Sequence, residues 1–359
     1  MTPLQAAPTP HLDVLAAESE VGCAELPEGA IPSRPETSVA ALLGVEPTSI
    51  PHGPLLAAAT GVSPDDRDVC FRCEFVATDG DTLLGPTGPL PAQHERELIS
   101  LVQEKLSTRR LHVIPNGCGP HLLIWTDGPR DLECLTPETA RGLALRQARP
   151  RGHGEDVLRC FLDDCLNLLH DHPLNRARAD EGMLPANLLW PYENGVVPSL
   201  RPFVFEWGLP GGLVSTAPEV RGLGYLLRMK VANSFGAETE YDGTLAASLE
   251  LLSSHGFALL HIATCTAARM RGDETEVAYT LRDLDARLIA PLHEAQSANG
   301  FRLMVVGATA IGSQRHMIYL LSPGETVGPH RPFDERMALD GEFPPVAARD
   351  LMRKLLHPS

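Results

Sequence analysis

The sequence predicts an α/β fold in which helices cover both faces of a mostly parallel sheet, with a smaller α+β cap inserted into it. Beyond residue 155, apolar segments of strand length alternate with amphipathic helices, a pattern typical of parallel sheets. Between residues 65 and 150, short strands surround one helix. We therefore predict a core domain of residues 1–64 and 151–359, and a cap domain of residues 65–150.

Two short helices are predicted before the cap. Residues 9–19 place Leu12, Val14 and Leu15 on an inward face. Residues 36–45 end at Gly44, a residue suited to a helix C-terminus.

The cap begins with a predicted hairpin, "DVCFRCEFVATDGDTLLG" (68–85), whose strands are joined by an Asp-Gly turn. An amphipathic helix follows at 92–107, and "RLHVIPN" and "HLLIWTD" are further strands. Cys70 and Cys73 form a CxxC pair, but no second ligand pair stands at zinc spacing. We therefore predict a buried strand at this pair.

After the cap, a long amphipathic helix (155–173) is predicted to stop at Pro173. The strands "GGLVSTA", "FALLHIAT", "FRLMVVGA" and "MIYLLSP" then alternate with helices, and "VAARDLMRKLLH" closes the chain as a helix. This alternation supplies the predicted parallel sheet of the core.

Charge and composition exclude several classes of function. Acidic residues outnumber basic ones by 46 to 30 and no Lys/Arg-rich stretch occurs, so nucleic acid is not an expected partner. No apolar run approaches the ~20 residues of a membrane span. The N-terminus lacks the basic start and apolar core of a signal peptide. We therefore expect a cytoplasmic protein with reduced cysteines.

The segment "HIATCTAARMRGDETE" (261–276) follows a strand, and open α/β sheets usually bind ligands at that edge. It begins with His261 and ends with Asp273, Glu274 and Glu276, but its middle has no carboxylate and no second histidine. No phosphate-binding glycine loop, serine-hydrolase elbow or zinc-protease motif occurs elsewhere. Motifs alone therefore assign no reaction.

Longer stretches carry a resemblance. They are "TPLQAAPTPHLDVLA" (2–16), "TSVAALLGVEP" (37–47), "DVCFRCEFVATDGD" (68–81), "HPLNRARADEGMLPANLLW" (172–190) and "RDLDARLIAPL" (282–292). In this order they resemble the archaeal-type, cofactor-independent phosphoglycerate mutases of the alkaline phosphatase superfamily. The resemblance implies an alkaline-phosphatase-like core. It also implies two divalent metals, usually manganese, beside a serine that takes the phosphoryl group from 3-phosphoglycerate and returns it to the 2-hydroxyl.

The position-by-position match puts Pro35 in the place of that serine. The family's Gly-Ser-Asp falls on Arg34, Pro35 and Glu36, and Ser33 could serve only if the loop shifted its register. The family's first strand, which ends in a metal-binding aspartate, would precede "TPLQAAPTP". Either the start codon lies upstream of Met1 or this element is missing.

In the same match, residues of other types stand at the family's metal-ligand positions. The loop's ligand aspartate and histidine fall on Thr266 and Met270. A later Asp-His pair falls on Ala308 and Thr309, or one residue further on. These side chains do not suit a hard divalent ion. We therefore predict no cofactor, and expect Mn²⁺ or Zn²⁺ only if a rearranged site is active.

Arginines offer a metal-free alternative, since guanidinium groups pair well with phosphate. The candidates for binding a small phosphorylated or anionic ligand are Arg34, Arg72, Arg269 and Arg271. Two other anion-handling arginines of the family are replaced here, by His52 and His121. The alternative is that the four candidates are solvated or paired with the many acids.

The resemblance and these losses together predict a phosphoglycerate-mutase-like protein that has lost metal-dependent phosphoryl transfer. It would act as a non-catalytic binding or regulatory protein, as a homo-oligomer or with a protein partner. The alternative is an active mutase, or a related phosphotransferase, with a rearranged site of His261, Cys265, Asp273 and His316.

Overall fold

The computed structural model describes residues 2–31, 34–88, 90–117, 119–233, 240–270, 272–311, 314–324, 332–341 and 343–357. The chain folds into two compact units: the core unit, residues 1–50 and 200–359, and the cap unit, residues 51–199. The cap unit is larger than the predicted 65–150, because the strand at 188–195 pairs with the strand at 69–78. None of the described helices is long and apolar enough to cross a membrane.

The strands are β1 (Glu20–Glu25), β2 (Val69–Thr78), β3 (Leu83–Pro86), β4 (Leu111–Ile114), β5 (His121–Trp125), β6 (Leu188–Gly195), β7 (Gly212–Val214), β8 (Lys230–Val231), β9 (Ala258–Leu260), β10 (Leu303–Ile311), β11 (Gln314–Ser322) and β12 (Val346–Ala347).

The helices are α1 (Pro3–Ala6), α2 (Pro10–Ala16), α3 (Pro35–Leu43), α4 (His52–Ala59), α5 (Ala92–Leu106), α6 (Pro137–Ala140), α7 (Leu145–Ala148), α8 (Glu155–Leu169), α9 (Pro173–Asp180), α10 (Phe203–Trp207), α11 (Pro218–Leu226), α12 (Tyr241–His255), α13 (Thr264–Met270), α14 (Glu274–Leu284), α15 (Ala290–Asn299), α16 (Glu335–Leu339) and α17 (Ala348–Leu356). A π-helical turn, Asp285–Ile289, joins α14 to α15. A 3₁₀ turn covers Pro47–Ser49.

The core unit contains two sheets. Strands β8, β7 and β9 form a parallel three-stranded sheet in that order. The second sheet has the order β10-β11-β1-β12, and β11 runs antiparallel to both β10 and β1. The strand alternation did not predict this hairpin of β10 and β11. Only residues 312–313 separate the two strands, and a parallel crossover would need a dozen or more.

The four-stranded sheet packs α2 with α16 in one apolar cluster, and α3 with α17 in another. Leu12 and Leu15 of α2 are buried as predicted, but Val14 is 54% exposed, so its predicted inward position is wrong. At helical spacing, Leu12 and Leu15 share a face from which Val14 points away. Strand β1 was not predicted, because "EVGCAE" is too short for its alternation to stand out.

The cap unit is built around the long strand β2. Strands β3, β5 and β6 all pair with it antiparallel, and β4 extends the sheet from β5. Helices α5 and α8 pack on the face of Phe71 and Phe75. The predicted hairpin, the strands β4 and β5, and the helices α5 and α8 are therefore confirmed. Helix α8 ends at Leu169, before Pro173, which instead begins α9.

Asp285 anchors the N-terminal segment of the core unit. Its carboxylate is 1% exposed, and it accepts hydrogen bonds from the backbone N–H of His11 (3.1 Å) and Leu12 (2.7 Å) at the start of α2. These donors lack partners within the helix. The contact gives a structural reason for two of the stretches that carry the resemblance, 2–16 and 282–292.

Replacing Asp285 by Ala should lower the free energy of unfolding by about 2 to 4 kcal/mol, because the buried N–H of Leu12 and the partly buried N–H of His11 lose a charged acceptor. Asp283→Ala is the matched control. Its carboxylate is 45% exposed and pairs with Arg287 one helical turn away at 3.2 Å, so its loss should cost less than about 0.5 kcal/mol. Urea denaturation measures both. Equal costs for the two variants would contradict the anchoring role of Asp285.

Candidate functional site

Two polar side chains meet where the parallel strands β7 and β9 end. Ser215 follows β7 and His261 follows β9, and the backbone N–H of His261 donates to Val214 O at 2.9 Å. Ser215 Oγ lies 2.9 Å from His261 Nδ1 and accepts a hydrogen bond from Ala217 N–H at 3.1 Å. Ser215 is 1% exposed. The carboxyl edge of this sheet therefore carries a Ser–His pair.

Glu36 acts on this pair electrostatically. It lies in the first turn of α3 and is 4% exposed. Burial lowers the pKa of His261 to about 4, and the negative charge of Glu36 opposes that shift. His261 is therefore neutral near pH 7, which leaves Nδ1 able to accept a proton from the Ser215 hydroxyl.

Arg221 of α11 fixes the backbone beside the pair. Its Nη1 donates to Ala232 O at 2.7 Å and to Ser215 O at 3.4 Å. Its Nη2 donates to Tyr225 Oη at 3.4 Å. The guanidinium is thus occupied by neutral carbonyl and hydroxyl oxygens, and holds the segments after β7 and β8 together.

Pro35, which the sequence match assigns to the family's nucleophile position, is the first residue of α3. Proline suits this position because its missing N–H would have no helical partner, but its side chain has no nucleophilic atom. Arg34 precedes it as the N-cap residue, and its carbonyl oxygen accepts from Thr37 Oγ1 at 2.7 Å. Ser33, the weaker candidate, lies outside the described residues.

The segment after His261 is not a loop. Residues Thr264–Met270 form helix α13, so the predicted polar loop is wrong over these positions. Thr266 lies within this helix as a half-buried residue, and Met270 ends it. Arg269 is also in α13, but its side chain is not among the described ones. Arg271 lies outside the described residues. Asp273 caps α14 by accepting from Glu276 N–H at 2.9 Å.

The other predicted metal positions lie inside a strand. The predicted strand "FRLMVVGA" (301–308) is longer at its C-terminal end than expected, because β10 continues to Ile311. Ala308 pairs with Met317 of β11, and Thr309 pairs with His316. His316 also faces Glu25 of β1 in the register of the sheet. His316 and Asp273 therefore belong to different local structures, a sheet and a helix cap.

In the cap unit, acidic neighbours surround Arg72. Its guanidinium contacts Glu74 Oε1 through Nη2 (3.1 Å) and through Nε (3.3 Å). Glu193 Oε2 lies 3.8 Å from its Nη1. Tyr192 lies under the guanidinium, 5.6 Å from ring centre to Cζ, and its hydroxyl donates to Glu74. The positive charge of Arg72 is thus offset by two carboxylates within the unit.

The two histidines that the sequence match assigns to arginine positions of the family have polar partners within the cap unit. His52 begins α4, and its Nδ1 lies 2.9 Å from Glu193 Oε2. His121 begins β5, where its Nδ1 accepts from Asn116 N–H at 3.2 Å and its Nε2 lies 3.4 Å from Glu95 Oε1. Burial lowers the pKa of His121 to about 4 and raises the pKa of Glu95.

The described residues do not offer a donor set that fits the metals implied by the resemblance. Within the described parts of the chain, no group of three or more His, Cys, Asp or Glu side chains could hold a metal ion. The positions matched to metal ligands carry Thr266, Met270, Ala308 and Thr309. None of these supplies the carboxylate or imidazole that a manganese or zinc ion requires.

Comparison with known proteins agrees with this architecture. Two solved structures cover nearly the whole chain: a Pyrococcus horikoshii protein (TM-score 0.77, 19% identity, 100% of this chain and 92% of that one) and the cofactor-independent phosphoglycerate mutase of Thermoplasma acidophilum (TM-score 0.63, 24% identity, 99% and 92%). The chain therefore has the alkaline-phosphatase-like α/β fold predicted from its sequence.

Sequence comparison then gives the family. Residues 16–175 match the family 2,3-bisphosphoglycerate-independent phosphoglycerate mutase. A probable mutase of this kind from Geobacter sulfurreducens is 31% identical over 303 residues, which are 81% of this chain and 76% of that protein. The mutase of Methanosarcina barkeri is 28% identical over 98% of this chain and 93% of its own length. The chain belongs to the 2,3-bisphosphoglycerate-independent phosphoglycerate mutase family.

Sequence reasoning did not select Ser215 as a candidate residue. The sequence "GLVSTAPEV" carried a signal for this residue, because a predicted strand is followed by a serine and then by a proline suited to the start of a helix. That order places a serine between a strand and the helix that follows it.

His261 and Cys265 were predicted only as members of a rearranged site. Cys265 is the second residue of α13, and its thiol electrostatically raises the pKa of Tyr241, behind the larger effects of burial and Asp283.

Proposed function

We propose that this family member has lost metal-dependent phosphoryl transfer and acts as a non-catalytic binding or regulatory protein. The observation that carries the proposal is that Pro35, which the sequence match assigns to the family's nucleophile position, is the first residue of a helix and has no nucleophilic side-chain atom. The side chains at the positions matched to metal ligands support the proposal, because none of them is a carboxylate or an imidazole that could bind either of the family's two metal ions. Phosphoryl transfer by the family route would then lack both nucleophile and charge stabilisation.

The alternative, a mutase or related phosphotransferase with a rearranged site, would need His261, Cys265, Asp273 and His316 to act together. Asp273 accepts a backbone hydrogen bond as a helix cap, and His316 is paired between two strands. Each of these positions has a local structural role. This argues for the first proposal.

The decisive experiment is a mutase assay on the purified full chain with 3-phosphoglycerate and Mn²⁺. We expect no 2-phosphoglycerate above a no-protein blank, whereas the Thermoplasma acidophilum mutase serves as positive control. Calorimetric titration with Mn²⁺ should detect no stoichiometric binding. Turnover that depends on Mn²⁺ would overturn the proposal, and turnover lost in a His261→Asn variant would favour the rearranged site.

We also propose a small anionic ligand, with Arg34, Arg72, Arg269 and Arg271 as candidate contacts. Arg34 belongs to the core unit and Arg72 to the cap unit, so their convergence stays a prediction. The contacts of Arg72 indicate that an incoming anion competes with Glu74 and Glu193 for the same guanidinium. Its affinity should therefore be limited by these internal carboxylates.

Replacing both carboxylates by amides should release Arg72. We expect the Glu74→Gln/Glu193→Gln variant to bind inorganic phosphate about 10- to 100-fold more tightly than the unmodified chain, since one freed charge-assisted contact contributes roughly 1.5 to 3 kcal/mol. Calorimetry measures the change. Adding Arg72→Met should remove the whole gain. An equal gain in that triple variant would show that phosphate binds elsewhere.

A further inference from the structure

We propose that Ser215, His261 and Glu36 form a serine-nucleophile site for small carboxylic esters. This inference concerns ester hydrolysis, a reaction different from the phosphoryl transfer proposed to be lost, and it does not depend on that loss. The role proposed above is non-catalytic with respect to phosphoryl transfer alone. The site lies at the carboxyl edge of β7 and β9, the edge at which open α/β sheets bind ligands. It uses no metal and none of the residues matched to metal ligands.

The local backbone presents the serine between a strand and a helix. β7 ends at Val214 and α11 begins at Pro218, so Ser215 occupies the connection, and Arg221 holds its carbonyl in place. His261 stands at the corresponding point after the neighbouring parallel strand. The 2.9 Å distance from Ser215 Oγ to His261 Nδ1 is within the reach required of a nucleophile and its base.

Hydrogen bonding sets the direction of proton transfer. Ala217 N–H already donates to Ser215 Oγ, so the hydroxyl proton is free to be donated to His261 Nδ1. In neutral imidazole one nitrogen accepts while the other carries the proton. The proton is then on Nε2, and the charge of Glu36 stabilises the imidazolium that forms when Ser215 loses its proton.

Burial and charge define the substrate. Ser215 is 1% exposed whereas His261 keeps partial exposure, so an electrophile must be small and must approach along the imidazole. A neutral ester avoids repulsion from the Glu36 carboxylate, unlike a phosphate dianion. We therefore assign an acyl group of acetyl size, and expect longer acyl chains to react more slowly.

The reaction balances with water as the second reactant. Ser215 Oγ bonds to the ester carbonyl carbon while His261 Nδ1 takes the hydroxyl proton. The carbon–oxygen bond to the alcohol then breaks, and the alcohol leaves with the proton from His261. Water adds to the acyl-serine with His261 again taking a proton, and the carboxylic acid is released as Ser215 is re-formed.

The test uses the full chain with p-nitrophenyl acetate and, separately, with methanesulfonyl fluoride, whose methylsulfonyl group is close to acetyl in size. We expect release of p-nitrophenol, and mass spectrometry should locate the methylsulfonyl adduct, formed with loss of fluoride, on Ser215. Ser215→Ala should lose the adduct, and His261→Asn should slow its formation about 100-fold, the usual contribution of a general base. Glu36→Gln should slow it less, since the base remains.

Ser254 provides a matched control within the same unit. Its Oγ lies 2.7 Å from Nδ1 of His255, but this pair is on the exposed end of α12. Ser254→Ala should leave labelling unchanged. The pH profile separates the sites: labelling at Ser215 should rise with pH through about 4 and then level off, whereas an ordinary histidine base would give a midpoint of roughly 6.5.

Absence of an adduct on Ser215 in the folded, unmodified chain would overturn the proposal, as would labelling that is unaffected by His261→Asn. Circular dichroism of each variant distinguishes a lost base from a lost fold. A failure here would leave the proposed loss of mutase activity standing, because the mutase assay involves a different substrate and Mn²⁺.

Discussion

Replacing Asn175 by Ala should lower the free energy of unfolding of the cap unit by about 3 to 5 kcal/mol, near the upper end for a single substitution. Asn175 is 1% exposed. Its Nδ2 donates to Leu169 O (2.8 Å) and Ala186 O (3.1 Å), and its Oδ1 accepts from Ala186 N–H at 2.8 Å. Alanine would leave the N–H and the carbonyl oxygen of Ala186 without these partners, and Leu169 O would keep only its contact with His172 N–H at 3.2 Å.

Asn194→Ala is the graded control for this substitution. Asn194 makes one described side-chain hydrogen bond, from Nδ2 to Leu132 O at 3.0 Å, and lies in a half-buried position. Its loss should cost about 1 kcal/mol. Denaturant titration followed by tryptophan fluorescence in a Trp207→Phe background reports on the cap unit through Trp125 and Trp190, because Trp207 belongs to the core unit. A cost for Asn175→Ala no larger than that of Asn194→Ala would show that water replaces its contacts.

Side-chain contacts to the backbone, such as those of Asn175, explain why the stretch at 172–190 carries the resemblance so strongly. Asn187 forms a reciprocal pair with the backbone of Thr78, donating to its O (2.8 Å) and accepting from its N–H (3.0 Å). Arg178 donates to Leu184 O at 2.9 Å. These side chains serve backbone groups within the cap unit. A resemblance in this stretch therefore predicts the fold and carries no information on the reaction.

Elements bounded by glycine or proline could be predicted from the sequence. Helix α3 ends at Gly44 and α12 at Gly256, both with positive φ, and α11 begins at Pro218. These residues act locally, through the conformations they permit or forbid. The cap hairpin was predictable for the same reason, because Gly80 at its turn also has a positive φ.

Helix α13 and the long strand β10 could not be predicted in this way. The segment "TCTAARM" is short, and nothing in it distinguishes a one- or two-turn helix from a loop. Strand β10 continues past Gly307 because its backbone pairs with β11 as far as Ile311 and Gln314. That pairing depends on a partner strand. The Ser215–His261 contact likewise joins residues 46 positions apart in the chain.

Acidification from pH 7 to pH 4 should destabilise each unit through one buried histidine, His121 in the cap unit and His261 in the core unit. Burial lowers the pKa of both to about 4 in the folded state, against roughly 6.5 in an unfolded chain. Between these values the unfolded chain binds more protons, so the free energy of unfolding falls as pH falls. The loss approaches roughly 3 kcal/mol per histidine and levels off below about pH 4.

Asparagine substitutions isolate this effect from the titration of the many carboxylates. His121→Asn keeps an acceptor for Asn116 N–H but cannot titrate, so its unfolding free energy should vary less between pH 6.5 and pH 4.5 than that of the unmodified chain. His261→Asn should do the same for the core unit. His153→Asn, at an exposed position, should leave the pH dependence unchanged. Urea denaturation at several pH values measures all three. If His121→Asn kept the full slope, the acid sensitivity would arise from other groups, and His121 would have to be solvated in the folded chain.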